Sequence, residues 1–322
     1  MKRISFIMIA CIGFLYMLSG CKNSGAEMIS TTEFFFDTII TISIENENSS
    51  SSAFLNQCFT MCKQIEDTFS RTKEGSELYN INHRKDNTVT VSDEMAYLIS
   101  EGLKYYEVSD GVFDITIAPV LELWDFKSDD AVVPDEKSLA AAVAKVGASK
   151  IHLKGNQLTF DDSDTQIDFG ALAKGYTADR LKEYLKRQNV TSGIINLGGN
   201  VLTIGKKPNG DLWNVGVQKP FDARNSVITT IPVDGKSVVS AGIYERYFEQ
   251  DGFRYHHIID PTTGYPVQNN LWQVTIISDE SLVGDALSTI CILLGYDQAD
   301  KLINTLEGVD AKFVLDDGRL RE

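Results

Sequence analysis

Cysteine is scarce in this chain, with five residues in 322, and two of the five, Cys11 and Cys21, lie in or just after an apolar N-terminal run. That leaves Cys58, Cys62 and Cys291, too few for a disulfide scaffold, so stability has to come from a hydrophobic core. Cys58 and Cys62 stand four apart among Phe54, Leu55, Met61, Ile65 and Phe69. Core packing on one helical face outweighs a disulfide or a metal site there, because no His or second Cys pair stands at metal-ligand spacing. Internal repeats, low-complexity tracts and clear linkers are missing too, which leaves one large domain or two intimate ones. Positive charge is also short: 30 Lys and Arg against 45 Asp and Glu give a net charge of −15. So acidic a chain is repelled by nucleic acid, which attracts proteins through Lys and Arg on phosphate. An anionic ligand then needs local help from a metal ion or from backbone N–H groups.

A long apolar run is the next thing lacking. Ile4 to Leu18 is almost wholly apolar but covers about fifteen residues, where a helix across the bilayer core needs about twenty. Lys2 and Arg3 precede it and Leu18-Ser19-Gly20-Cys21 follows, so residues 1–20 read as a cleaved signal segment. The Leu-Ser-Gly-Cys quartet resembles the bacterial lipobox. The expectation is a mature chain lipidated on Cys21 and held on the outer face of a bacterial membrane, with residues 21–32 as a tether and 33–322 as the folded part. Several acyl chains on one residue suffice for stable anchoring.

Along the chain, Glu33 to Ile44 reads as a first strand. Helices are predicted from about Ala53 to Phe69, Asp93 to Val108, within 128–150, from the turn at Asp168 to Tyr176 onward to about Gln188, from about Ser281 to Leu294 and from Gln298 to Leu306. Between them lie a hairpin at 151–160 and short strands near Ser192–Asn196, Val201–Ile204, Trp213–Val217, Val227–Pro232, Ser237–Ala241, Arg246–Phe248, Tyr255–Ile259 and Trp272–Ile277. Helices early and late around strands in the middle point to an α+β domain with mixed or antiparallel sheets.

Four segments carry chemistry. Asp285 and Thr289 are four apart in an apolar helix, so their oxygens share a face. A carboxylate and a hydroxyl there suit a hard cation such as Mg²⁺, or else a helix-dipole Asp and a Thr bonded to a carbonyl. Asp168 to Tyr176 is a glycine-bracketed strand-to-helix turn, the kind that offers backbone N–H groups to anions, with Lys174 adding charge. It lacks the spacing of the nucleoside-triphosphate loop. Asn196-Leu197-Gly198-Gly199-Asn200 is either a close-approach turn or a plain hairpin. His256 and His257 precede the Asp260-Pro261 turn. Strand alternation sends one inward and one outward, so at most one of them serves a site as a proton acceptor.

In order and spacing, Phe36-Asp37-Thr38, Phe69-Ser70-Arg71, Gly111 to Thr116, Asp168 to Tyr176, Asn196 to Asn200, His257 to Gly264 and Asp285 to Thr289 resemble one family. It is the FAD:protein FMN transferases, the ApbE family of flavin-transferring lipoproteins, and the resemblance runs over nearly all of residues 33–315. Ala-Lys-Gly-Tyr at 173–176, His-Ile-Ile-Asp-Pro from His257, and Asp-Ala-Leu-Ser-Thr from Asp285 are the most specific pieces. The resemblance implies an ApbE-like, T-fold-like α+β architecture with flanking helices. It implies FAD as substrate and Mg²⁺ as cofactor, the metal held by Asp285, Thr289 and the Ala171 carbonyl. It places Thr38, Val112, Phe113, Asp114, Asp168, Lys174, Gly198, Gly199, His257 and Ile259 against the flavin nucleotide, with His257 catalytic.

The implied reaction sets FMN on a Thr or Ser hydroxyl of an acceptor protein and releases AMP. The implied partners are acceptor flavoproteins such as membrane redox-pump subunits or exported flavin-carrying domains. Two positions depart from the family pattern: Ala241 stands where Ser is common, and Phe169 where Leu is. Neither is one of the implied ligands. Hydrolysis of FAD to FMN and AMP, and a flavin-binding lipoprotein without catalysis, are the alternatives.

Overall fold

The computed structural model describes residues 27–46, 50–126, 131–223 and 226–322; Cys21 and the expected signal segment lie outside them. β1 (Met28–Phe35) and β2 (Thr38–Glu45) form a hairpin where a single strand was expected. The reason is its turn. Phe36 and Asp37 both take positive φ, 52° and 57°, the two-residue geometry that Asn-Gly usually signals and Phe-Asp does not. The first described strand starts at Met28, within the stretch expected as tether.

Helix α1 (Ser51–Phe69) follows, then α2 (Glu77–Asn82), β3 (Thr88–Thr90), α3 (Asp93–Val108) and α4 (Ala118–Leu121). The described part of the acid-and-alanine stretch forms a short α-helix, α5 (Glu136–Val143), capped by the Asp135 carboxylate at Ser138 N–H. β4 (Ile151–Lys154) and β5 (Gln157–Phe160) make the expected hairpin, and β3 pairs with its other edge. Next come α6 (Ala173–Arg187), β6 (Gly193–Leu197), β7 (Asn200–Ile204), β8 (Trp213–Gln218), β9 (Val227–Val233), β10 (Ser237–Gly242), β11 (Tyr247–Gln250), β12 (Phe253–His256) and β13 (Leu271–Ser278). The chain closes with α7 (Ser281–Leu294), α8 (Tyr296–Ile303), β14 (Asp310–Leu315) and β15 (Leu320–Arg321).

The main sheet has eight strands in the order β1-β2-β6-β7-β10-β13-β14-β15. Every pairing of named strands is antiparallel; a single isolated bridge, Ile117 with Gln166, is parallel. Alternation sends successive side chains to opposite faces. Ile40, Ile42, Ile44, Ile195, Leu197, Leu202 and Ile204 pack under α1 and α6, around buried Cys58 and Cys62. Val274 and Ile276 of β13 join Leu282, Ala286, Leu287, Ile290 and Cys291 of α7 in the largest core. On the opposite face, Val201, Val238 and Ile277 are covered by the β8–β9 ribbon. Cys58, Cys62 and Cys291 are thus free core residues, as the helical spacing of the first two suggested. Among the described residues no helix is long and apolar enough to cross a membrane.

Candidate active site

α6 and α7 meet at their N-terminal ends, and a glycine sets the distance. A Cβ on Gly175 would lie 2.5 Å from the Ser281 carbonyl oxygen and 2.6 Å from Leu282 Cα, so only glycine allows the two backbones to touch. Two carboxylates exploit the contact. Asp179 of α6 accepts from the backbone N–H groups of Ser281 and Leu282, each at 2.8 Å, and so caps α7 from outside, since Glu280 at the cap position makes no side-chain cap. Burial pushes Asp179 up to about 6, against those two hydrogen bonds. In return, Asp285 of α7 accepts the Gly175 N–H on Oδ2 at 2.9 Å, and its Oδ1 lies 3.3 Å from Lys174 Nζ.

That exchange frees an oxygen. In a regular helix the Gly175 N–H would go to the Ala171 carbonyl, four residues back. Diverted to Asp285, it leaves that carbonyl with no hydrogen-bond donor among the described residues. Thr289, one turn beyond Asp285, is half-buried, and its hydroxyl has no partner among the described residues. Asp285, Thr289 and Ala171 thus offer carboxylate, hydroxyl and carbonyl oxygen, the donors a hard cation takes. Among the described residues no cluster of three or more His, Cys, Asp or Glu side chains could hold a metal, so a cation here relies on the carbonyl and hydroxyl donors as well.

Asp168 stands just before this turn. Its Oδ1 accepts from the Gly170 N–H at 2.7 Å, its Oδ2 lies 2.9 Å from Arg71 Nε, and its own N–H reaches the Ile115 carbonyl at 2.7 Å. The last bond ties it to the loop after α3, where Gly111 takes a φ of 85°. In that loop Val112 is half-buried and Phe113 is buried against Tyr105. Asp114 has both oxygens occupied within the chain: Oδ1 accepts from Thr116 N–H and Oγ1, and Oδ2 from Ala148 N–H. Burial raises its pKa against those bonds. Its carboxylate shapes the loop, and what that loop offers a ligand is backbone and the Val112 side chain.

Thr38 and Gly198 meet on neighbouring strand ends, where a Cβ on Gly198 would stand 2.1 Å from Thr38 Oγ1. Gly199 has open space where its Cβ would be. Asn200, the next residue, accepts from Ser281 Oγ at 2.5 Å, which couples this turn to the start of α7.

The two histidines separate as alternation requires. His256 is 2 % exposed, donates from Nε2 to the Val267 carbonyl at 2.8 Å and receives the Ile258 N–H on Nδ1; burial pushes it down to about 4. His257 is half-buried, with Nδ1 3.3 Å from the Arg246 carbonyl, which also takes the His257 N–H at 3.1 Å. A carbonyl only accepts, so Nδ1 carries the proton and Nε2 is the free base. Burial first, then the charge of Arg246, with lesser help from His256 and Lys174, pushes its pKa down to about 3. Ile259 is buried and bridges to Pro266, holding the turn in which Trp124 Nε1 donates to the Gly264 carbonyl at 2.8 Å.

Lys174 and Gly175 therefore converge directly on Asp285, one helical turn after the released Ala171 carbonyl. Thr38, Gly198 and Gly199 are joined to them through Asn200 and Ser281, and Val112 to Asp114 through Ile115 and Asp168. Arg71 was visible in the Phe69-Ser70-Arg71 segment but had no assigned partner. Asp179 carried no sequence signal, because its partners lie about a hundred residues away.

Comparison with known proteins finds relatives over most of the chain. The ApbE family model matches residues 36–313. An FAD:protein FMN transferase of Klebsiella pneumoniae is 37% identical over 269 residues, covering 83% of each chain. One from Treponema pallidum is 32% identical over 311 residues, 91% of this chain and 86% of the relative. The crystal structure of an ApbE protein from Thermotoga maritima superposes with a TM-score of 0.84 at 30% identity, over 92% of this chain and 97% of that one.

Proposed function

The chain belongs to the ApbE family, and from that premise we propose that it transfers FMN from FAD to a Ser or Thr hydroxyl of an acceptor protein, in a Mg²⁺-dependent reaction that releases AMP. The observation that carries the reading is the meeting of Lys174 and the Gly175 N–H on Asp285, beside an Ala171 carbonyl left without a donor. Asp285, Thr289 and Ala171 are the residues that would hold Mg²⁺, and the ion would supply charge compensation on the pyrophosphate oxygens. Thr38, Gly198, Gly199, Val112 and the Asp168 loop are assigned to the flavin nucleotide.

In this reaction the acceptor oxygen attacks the FMN-side phosphorus. A new P–O bond forms, the bond from that phosphorus to the bridging oxygen breaks, and the electron pair leaves with AMP. His257 Nε2, unprotonated at neutral pH, takes the hydroxyl proton as the bond forms. A bound pyrophosphate beside it raises its proton affinity, since an opposite charge favours the imidazolium. Lys174 faces the developing negative charge and is itself held by Asp285. The enzyme is further assigned to the outer side of a bacterial membrane, lipid-anchored at Cys21, where exported flavoproteins and redox-pump loops would be its acceptors.

The test is to incubate the purified protein with FAD and an acceptor domain, first with a chelator and then with Mg²⁺ restored, and to follow in-gel flavin fluorescence. A covalent band that appears only with the metal supports the reading. A band equally strong under chelation removes the metal from it, and no band under either condition removes the transferase.

A further inference from the structure

Arg246 lies at the root of the β11–β12 hairpin, and its place is unusual for a cation in so acidic a chain. It is exposed, and its guanidinium has no ion-pair or hydrogen-bond partner among the described residues. Other arginines nearby are committed: Arg71 pairs with Asp168, and Arg254 pairs with Glu249 while lying 4.1 Å over the Phe221 ring. The Arg246 backbone carbonyl receives both the N–H and Nδ1 of His257, so the guanidinium springs from the residue that orients the imidazole. Among the neighbouring charges its effect on His257 is the largest, ahead of that of Lys174. Two cations, Arg246 and Lys174, thus act on one neutral base, and the carboxylate that holds Lys174, Asp285, is itself already engaged by Gly175. That concentration of positive charge is unfavourable alone and favourable around an anion.

We propose that Arg246 binds the FMN-side phosphate of FAD, the phosphoryl group that is transferred, an assignment that rests on the transferase reading. Proximity to the base selects this phosphate over that of AMP. The hydroxyl that loses its proton to His257 attacks the phosphorus nearest His257, and the leaving AMP oxygen lies in line on the far side. A guanidinium presents two parallel N–H donors to the non-bridging oxygens of that group and stays charged throughout. Arg246 moves no proton; it balances charge on the phosphoryl oxygens while the acceptor's P–O bond forms and the bridge bond breaks.

The experiment is calorimetric titration of FMN and, separately, of AMP, in the presence of Mg²⁺, into wild type, Arg246→Gln and Arg246→Lys. Glutamine keeps the backbone carbonyl that holds His257 and removes only the charge. The FMN Kd of Arg246→Gln is expected to rise roughly tenfold to a hundredfold, the loss of a charged hydrogen-bond pair, with the AMP Kd unchanged and Arg246→Lys in between. An unchanged FMN Kd overturns the assignment, and so does a joint weakening of FMN and AMP, which would mark a general disturbance of the site. A wild type that binds FMN yet leaves no covalent flavin on an acceptor defeats the transferase reading alone, and the titration still decides Arg246.

Discussion

Asp285 has two oxygens and two partners, and the partners differ in kind: a backbone N–H and a lysine ammonium. Asparagine preserves the first, since its carbonyl oxygen still accepts from Gly175, and loses the charge that holds Lys174 and would bind a cation. Asp285→Asn should therefore fold normally by circular dichroism while its flavin transfer falls by roughly a hundredfold or more. His256 makes a prediction about stability. Its folded pKa is pushed down to about 4 from 6.5, so the unfolded chain binds the proton first as pH falls. Stability from this group is present above pH 6.5 and is lost as pH falls toward 4, with a slope of up to about 1.4 kcal/mol per pH unit. Asp179 works the other way: raised to about 6 from 3.8, it contributes stability below pH 3.8 that is lost as pH rises through 6. His256→Gln, whose amide can serve both hydrogen bonds, should flatten the acid side of a Tm-against-pH profile between pH 6.5 and 4. An unchanged profile would show that His256 is not the group titrating there.

At the scale of elements, the α6–α7 contact organises the site. Gly175→Ala puts a methyl against the Ser281 carbonyl and the Leu282 Cα. Backbone atoms cannot rotate aside, so the helices must part, at a cost of about 1–3 kcal/mol. A urea midpoint should fall accordingly, and transfer should fall further than stability alone explains, because Asp285 loses its N–H donor. Much of this frame was legible in the sequence. Helices at Asp93–Val108 and Ser281–Leu294 were read at their observed bounds, because amphipathic or continuous apolar periodicity marks long helices well. The β1–β2 turn was not legible, since Phe36-Asp37 adopts positive φ without glycine. β14 and β15 were also unforeseen; as late, short strands they gain their partners only from the assembled sheet. In the site, Lys174 and Asp285 were marked by motif, whereas Asp179 and the Arg71–Asp168 pair depend on contacts that no local pattern encodes.

For the whole molecule, a net charge of −15 and an anionic substrate are reconciled locally: Lys174 stands on Asp285 and Arg71 on Asp168 at the α6 turn, and Arg246 acts on His257. Such an enzyme attracts its substrate only close to the site, and confinement beside its acceptors becomes valuable. If Cys21 carries lipid, as we propose, the anchor raises the effective concentration of membrane-bound acceptors without touching the chemistry. A Cys21→Ala form should then modify a soluble acceptor at a rate within about twofold of wild type and a membrane-embedded acceptor far more slowly; equal loss on both would place Cys21 in the fold or the site. In the proposed reaction this chain moves FMN from FAD onto protein. The most direct measurement is the intact mass of an acceptor domain after incubation with the enzyme, FAD and Mg²⁺, with AMP quantified in the same sample. One FMN phosphoester is expected on a Ser or Thr of the acceptor for each AMP released. An unmodified acceptor accompanied by free FMN and AMP would contradict it.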